Sequence, residues 1–187
     1  MRVWAALRPS AFPYFARPIL DLPRPLITRG GLLEILEPEA GERILELGPG
    51  TGYYTLSVAA RLEPAGVLEI LEIRQSFLDH TVHRARDRGL TNIVPSLGDG
   101  VALPYPDGYF DAAYLITVLG EIPDPEAALS ELGRVLKPAG RLVVGEIFID
   151  PDFPRLGWLV ECARGAGLLL ERRSGSPLGY FARFRPA

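Results

Sequence analysis

The chain alternates short apolar runs with amphipathic stretches, and that alternation predicts an α/β fold built on a mostly parallel sheet. Runs rich in Ile, Leu and Val predict strands at 43–47, 67–72, 93–97, 110–117, 141–147, 168–172 and 180–184. Between them apolar residues recur at helical spacing. One helix is expected over about 53–62, with Leu56, Ala59 and Ala60 on its inner face, and a second over about 75–88. A third opens at Asp124, whose carboxylate can accept from free N–H groups, with Pro125 in the first helical position. Its stripe of Ala128, Leu132, Val135 and Leu136 should face the sheet, and Pro138 with Gly140 should stop it. A last helix is expected near 155–165.

The tail breaks the pattern. Only residues 174–179 separate the last two strands, too few for the crossover that parallel strands need, so an antiparallel hairpin is expected. The first 40 residues also differ. Trp4, Phe12, Tyr14 and Phe15 are interleaved with prolines and arginines, which reads as an N-terminal arm or helix over 1–40 before a core at 41–187. Such an arm would pack on the edge or back of the sheet, cover a ligand cleft, or touch an anionic membrane surface.

Composition narrows the class. A chain of 187 residues fits one domain, and 48% hydrophobic content is ordinary for a globular protein. No apolar run reaches the roughly 18–20 residues of a membrane span, and Pro9 interrupts the N-terminus too early for a secretory signal. A single cysteine, Cys162, excludes an internal disulfide and a cysteine-based zinc site, in keeping with a cytoplasmic setting. The net charge of -3 carries no basic footprint for nucleic acid.

Candidate chemistry concentrates after the first strand, in ILELGPGTG at 44–52. Gly48, Gly50 and Gly52 suit a strand-to-helix turn that needs positive φ and close approach of a ligand to the backbone. The spacing is not that of the dinucleotide fingerprint, because Tyr53 stands where its third glycine would be. Glu46 would oppose a pyrophosphate and would suit an ammonium or sulfonium group, so a cationic adenosine derivative is the expected ligand. Three further features fall at strand ends, where open α/β sheets bind ligands. Glu72 can accept from both ribose hydroxyls, although alone it also reads as a solvated strand end. Gly98-Asp99-Gly100 can receive an adenine edge, although alone it also reads as a simple turn. Thr117 ends the fourth strand.

Together with LEILEIR at 68–74, GDGVALPYPDGYFD at 98–111, VLGEIPDPEAAL at 118–129 and RVLKPAGRLVVGE at 134–146, these segments resemble a known family. The chain looks like a class I S-adenosylmethionine-dependent methyltransferase of the small-molecule type, similar to ubiquinone/menaquinone and arsenite methyltransferases. The resemblance implies a three-layer Rossmann-like sandwich with a seven-stranded, mostly parallel sheet, one antiparallel edge strand and order 3-2-1-4-5-7-6. It also implies that Glu46 balances the methionine ammonium, that Gly48, Pro49, Gly50 and Gly52 form the turn against it, and that Glu72 holds the ribose. Ile73 would pack on adenine, Asp99 would take its amine, Gly100 and Val101 would offer backbone groups, and Thr117 would close the pocket near the sulfur. Where relatives often carry histidine after the fourth strand, this chain has Glu121. Glu121 and Glu146 are the candidate general bases, while Glu121 also reads as a charge favourable to the Asp124 helix dipole.

His80 and His83 read as surface residues. The Asn-Pro-Pro-Tyr motif of amino-directed nucleic-acid methyltransferases is absent, and no substrate domain is inserted. The expected partner is therefore a small or lipid-like acceptor, the protein being a monomer or homodimer. Two other readings stay open: a module that holds the cofactor without turnover, and an NAD-dependent oxidoreductase.

Overall fold

The structure, a computed structural model, describes residues 24–187. The expectations for Trp4, Phe12, Tyr14 and Phe15 fall outside the described residues. The elements run α1 (Arg29–Leu36), β1 (Arg43–Leu47), α2 (Thr55–Leu62), β2 (Val67–Glu72), α3 (Gln75–Arg86), β3 (Ile93–Leu97) and β4 (Phe110–Ile116). A 3-10 turn at Leu119–Glu121 follows, then α4 (Pro125–Val135), β5 (Leu136–Ile147), α5 (Leu156–Gly165), β6 (Leu168–Ser176) and β7 (Gly179–Pro186).

One seven-stranded sheet carries the order β3-β2-β1-β4-β5-β7-β6. The first five pair in parallel, and β7 runs antiparallel to both β5 and β6. The hairpin thus inserts its second strand against β5 and leaves β6 at the edge. Successive side chains on a strand point to opposite faces, so the inner strands feed two cores. Leu45, Ala113, Leu115, Leu142, Val144, Ala182 and Phe184 pack under α4 and α5. Ile44, Ile70, Ala112, Tyr114, Val143 and Phe181 pack under α1 and α2 on the other face. Burial on both faces is why these strands read as continuous apolar runs.

Helix α4 starts as expected, with Asp124 accepting from the Ala127 N–H at 2.9 Å and Pro125 in the first turn. It ends sooner than the proline implies. Leu136 is already extended and pairs with Phe110, and Pro138 and Gly140 lie in the irregular stretch before Arg141 resumes the ladder opposite Ala112. For α2 the expected inner face is rotated: Thr55, Val58, Ala59 and Leu62 are buried, while Ala60 is exposed and Leu56 only half-buried. Apolar residues surround this short helix, so periodicity alone cannot choose its phase.

Within the expected arm lies α1, capped by the Thr28 hydroxyl, which accepts from the Gly31 N–H at 3.0 Å. It packs on β5, β6 and β7. Its C-terminal carbonyls carry the negative end of the helix dipole, and three guanidinium groups collect there. Arg141 donates to the carbonyls of Leu36 and Glu37, Arg172 to those of Glu34 and Ile35, and Arg183 to that of Ile35. Glu42 pairs with Arg141 through both oxygens at 2.7 Å, and Glu37 pairs with Arg172 and Arg183. Among the described residues no helix is long and apolar enough to cross a membrane.

Arg141 is the best buried of the three guanidinium side chains, at 12% exposure. Arg141→Met should lower unfolding stability by about 2–4 kcal/mol in urea titration, because the Glu42 charge and the helix-end carbonyls lose their donor. Arg172→Met, at the exposed edge, should cost under about 1 kcal/mol.

Candidate functional site

Strand order reverses between β1 and β4, which opens a crevice at their carboxyl ends. The glycine turn forms its floor. Gly48 and Gly52 have φ of 71° and 80°, and a Cβ at either would collide with Val118 or Thr81. The turn is tied down from several sides. The Gly48 N–H donates to the Leu71 carbonyl at 2.9 Å, the Thr81 hydroxyl to the Gly50 carbonyl at 2.9 Å, and Arg84 to the Thr51 carbonyl at 2.7 Å. The sequence did not single out Thr81, and it read Arg84 only as one of the surface cations that follow His83, not as a support of the turn. Their three-residue spacing on α3, one turn apart and facing the glycine loop, was the only signal available.

Glu46 ends up deep in the sheet at 3% exposure, opposite Ile70 on β2 and Tyr114 on β4. Burial pushes its pKa up to about 7, and the nearby Glu72 charge adds to the shift. The Thr55 and Tyr114 hydroxyls beside it pull the other way. Even so, Glu46 Oε2, Thr55 Oγ1 and Tyr114 Oη are each buried without a hydrogen-bond partner. An orphaned carboxylate oxygen of this kind is costly unless a donor or cation arrives.

Glu72 is no solvated strand end. It is 7% exposed, its Oε1 accepts from the Arg74 N–H at 3.0 Å, and desolvation raises its pKa against the pull of Arg74 and of the Gly50 and Ile73 backbone N–H groups. Ile73 beside it stays 38% exposed, an apolar surface at the crevice. The Gly98 N–H donates to the Glu72 carbonyl at 3.0 Å, which brings the third strand end alongside. Asp99 is half-buried and closes a local turn, with Oδ1 accepting from the Val101 N–H at 3.2 Å. Gly100 is buried against Leu47. Thr117 has a left-handed backbone (φ 55°), donates its hydroxyl to the Ile116 carbonyl at 2.7 Å, and adjoins Val118, which rests on Gly48.

Glu121 lies on the 3-10 turn, where burial first and the Asp150 charge second push its pKa up to about 7. Arg74 pulls it down, while Glu72 and Asp152 add to the rise, which places Glu121 between the β2 end and the loop after β5. Glu146 sits lower, in the core at 1% exposure, opposite Tyr180 on β7. Burial raises its pKa well above the usual carboxylate range. His83 is exposed and stands 3.4 Å from Asp87, and the half-buried His80 also lies on α3.

Residues 45–144, which span the glycine turn, Glu72, Asp99 and most of β5, match the family model for the methyltransferase domain. The chain belongs to this methyltransferase family. Over 108 residues the methyltransferase domain is 39% identical to a ubiquinone/menaquinone biosynthesis C-methyltransferase from Chromobacterium violaceum, covering 57% of this chain and 43% of that protein. The chain spans less than half the length of the curated relatives it matches. A solved S-adenosylmethionine-dependent methyltransferase from Aquifex aeolicus superposes with a TM-score of 0.86 at 18% identity, covering 95% of this chain and 100% of that one, and so shares the fold. The [4+2]-cyclase SpnF is similar at 30% identity with a TM-score of 0.70, over 78% of this chain and 57% of that one.

The methyltransferase crevice makes stability depend on pH. Unfolded, Glu46 ionises near pH 4.5; folded, it ionises near 7. Stability is therefore lost as pH rises through that window and stays lower above it. At about 1.4 kcal/mol per pKa unit, the ionised form costs on the order of 3 kcal/mol. Glu46→Gln should raise the melting temperature of the ligand-free protein at pH 8 by roughly 6–12 °C and change it little at pH 4.5. Scanning calorimetry at both values checks this. Gly48→Ala should instead destabilise at every pH, since both φ and Val118 oppose the added methyl.

Proposed function

We propose that the protein is an S-adenosylmethionine-dependent methyltransferase that moves a methyl group by in-line displacement to a small-molecule or lipid-like acceptor. The observation that carries this reading is Glu46: a buried carboxylate with an orphaned oxygen, beside a turn where a Cβ at Gly48 or Gly52 would collide with Val118 or Thr81. An ammonium group satisfies such an oxygen, whereas a pyrophosphate would add charge of the same sign. That weighs against a dinucleotide and the oxidoreductase reading.

In this proposal Glu46 takes the methionine ammonium, and the backbone of Gly48, Pro49, Gly50 and Gly52 lies along the methionine portion. Glu72 accepts from the ribose hydroxyls, and the exposed face of Ile73 covers one side of adenine. Asp99 receives the adenine amine, with Gly100 and Val101 lining the ring edge, and Thr117 with Val118 closes the pocket over the turn. Bound S-adenosylmethionine supplies an electrophilic methyl carbon on a positively charged sulfur. The chain's task is then alignment and exclusion of water, and good alignment can lower a barrier by about 7–11 kcal/mol. Glu121 is the general base where the acceptor must lose a proton: a carboxylate poised near neutral pH both holds and releases one. Glu146, beneath the turn that carries Glu121, does not reach the crevice surface and acts only through its neighbours.

The curated C-methyltransferase relative supports an acceptor of small-molecule size. A module that holds the cofactor without turnover would bind it equally well, so turnover of label onto an acceptor separates the two. Isothermal titration should show S-adenosylmethionine and S-adenosylhomocysteine binding, weakened at least tenfold by Glu72→Ala and less by Asp99→Ala, with no NAD binding. Tight NAD binding without sulfonium binding would overturn the assignment.

A further inference from the structure

Three buried polar atoms gather beneath the glycine turn. Glu46 Oε2, Thr55 Oγ1 and Tyr114 Oη come from β1, the first residue of α2 and β4, and none has a hydrogen-bond partner. Thr55 and Tyr114 are fully buried and Glu46 nearly so. The backbone brings them to one place. Glu46 and Tyr114 are register partners on adjacent parallel strands, so their side chains leave the same face of the sheet. Thr55 opens the helix that follows the glycine turn, and that helix lies on the same face with Val58 and Ala59. Both hydroxyls stand close enough to Glu46 to favour its ionised form, yet neither closes a hydrogen bond.

Packing does not explain the two hydroxyls. The Tyr114 ring lies in an apolar core with Ile44, Val58, Ile70 and Val143, which a phenylalanine would fill equally well. A hydroxyl buried there without a partner costs stability. What both hydroxyls can serve is the carboxyl beside them. A hydroxyl proton rotates about its bond, so each can turn onto a carboxylate without a large movement of heavy atoms. Hydrogen bonds to a charged acceptor are stronger than those to a neutral one, so these donors matter most once Glu46 has lost its proton. From the end of β2 the Glu72 charge, of the same sign, works against that ionisation.

We infer that Tyr114 and Thr55 are positioning residues for the cofactor: their hydroxyls turn onto Glu46 when it ionises, and so hold it as the anion that receives the methionine ammonium. This rests on the methyltransferase reading and adds to it two residues that act through Glu46. Binding then runs through linked steps. The Glu46 proton passes to solvent, the two hydroxyls donate to the carboxylate, and the ammonium completes the set. Without the hydroxyls Glu46 keeps its proton to higher pH, so the ammonium meets a neutral acid over more of the neutral range. The same pair lowers stability while Glu46 is protonated. Stability and affinity are thereby set against each other at these two positions.

Tyr114→Phe and Thr55→Val test this, with Thr55→Ser as the variant that keeps a hydroxyl. At pH 5, where Glu46 is mostly protonated, Tyr114→Phe should raise the melting temperature of the ligand-free protein by about 2–4 °C. Isothermal titration with S-adenosylhomocysteine should show the opposite sign. Each deletion should weaken binding by about fivefold or more at pH 6 and by less at pH 8, because at the higher pH Glu46 is ionised more fully with or without the hydroxyl. Thr55→Ser should stay within about twofold of the wild type at both values. Unchanged affinity at pH 6 in both deletions, or an equal loss at pH 6 and pH 8, would overturn the inference. So would a lower melting temperature for Tyr114→Phe at pH 5, the mark of a hydroxyl that serves only the fold. Failure of the wild type to bind S-adenosylhomocysteine would overturn the methyltransferase reading, and the inference with it; wild-type binding alongside unchanged deletions removes the inference alone.

Discussion

A carboxylate locked into the middle of a parallel sheet without a counter-charge is the constraint around which this end of the molecule is arranged. Glu46 cannot swing away, because its backbone is laddered on both sides to β2 and β4 and its neighbours fill the core. Two kinds of relief are open to it: a proton, or a cation delivered from the crevice. Each couples the charge state of one side chain to whatever occupies the glycine turn. Folding, proton binding and ligand binding are thereby different readouts of the same desolvation cost.

Rigidity around that charge comes from elements remote in sequence. Thr81 and Arg84 of α3 hold the carbonyls of the glycine turn, and the Glu72 carbonyl fixes the start of the Gly98 loop. On the same sheet face as α2, the guanidinium groups of Arg141, Arg172 and Arg183 draw α1 down onto β5, β6 and β7. Tyr54 extends this brace toward the crevice, donating its hydroxyl to the Ile27 carbonyl at 2.6 Å. A turn held in this way meets a ligand with little rearrangement, which is what an alignment-driven reaction requires.

Across the crevice, chemically identical carboxyls are set to different states by their surroundings. Glu46 and Glu121 are both brought near neutrality, the first by burial with the Glu72 charge adding to it, the second by burial together with Asp150. Glu146 is pushed well above the usual carboxylate range by its burial, while Glu72 is restrained by backbone donors and Arg74. The crevice is thus set to take up positive charge beside the glycine turn.

Much of this was legible in the residues. The strands β1 and β2 carry the expected boundaries, because strands buried on both faces are written as unbroken apolar runs, and β3 matches its expected span although its residues are half-buried or exposed. The cap of α4, the hairpin of the tail and the glycine turn are likewise local chemistry, fixed by a few neighbouring side chains. The phase of α2, the burial of Glu72 and the depth of Glu146 were not legible. Each depends on which distant surface covers it. A carboxylate at a strand end looks the same in the chain whether water or another loop lies over it. The sequence by itself determined which residues gather at the carboxyl ends of the strands; only the tertiary structure decided how far each was withdrawn from water, and so how strongly burial favours its protonated form.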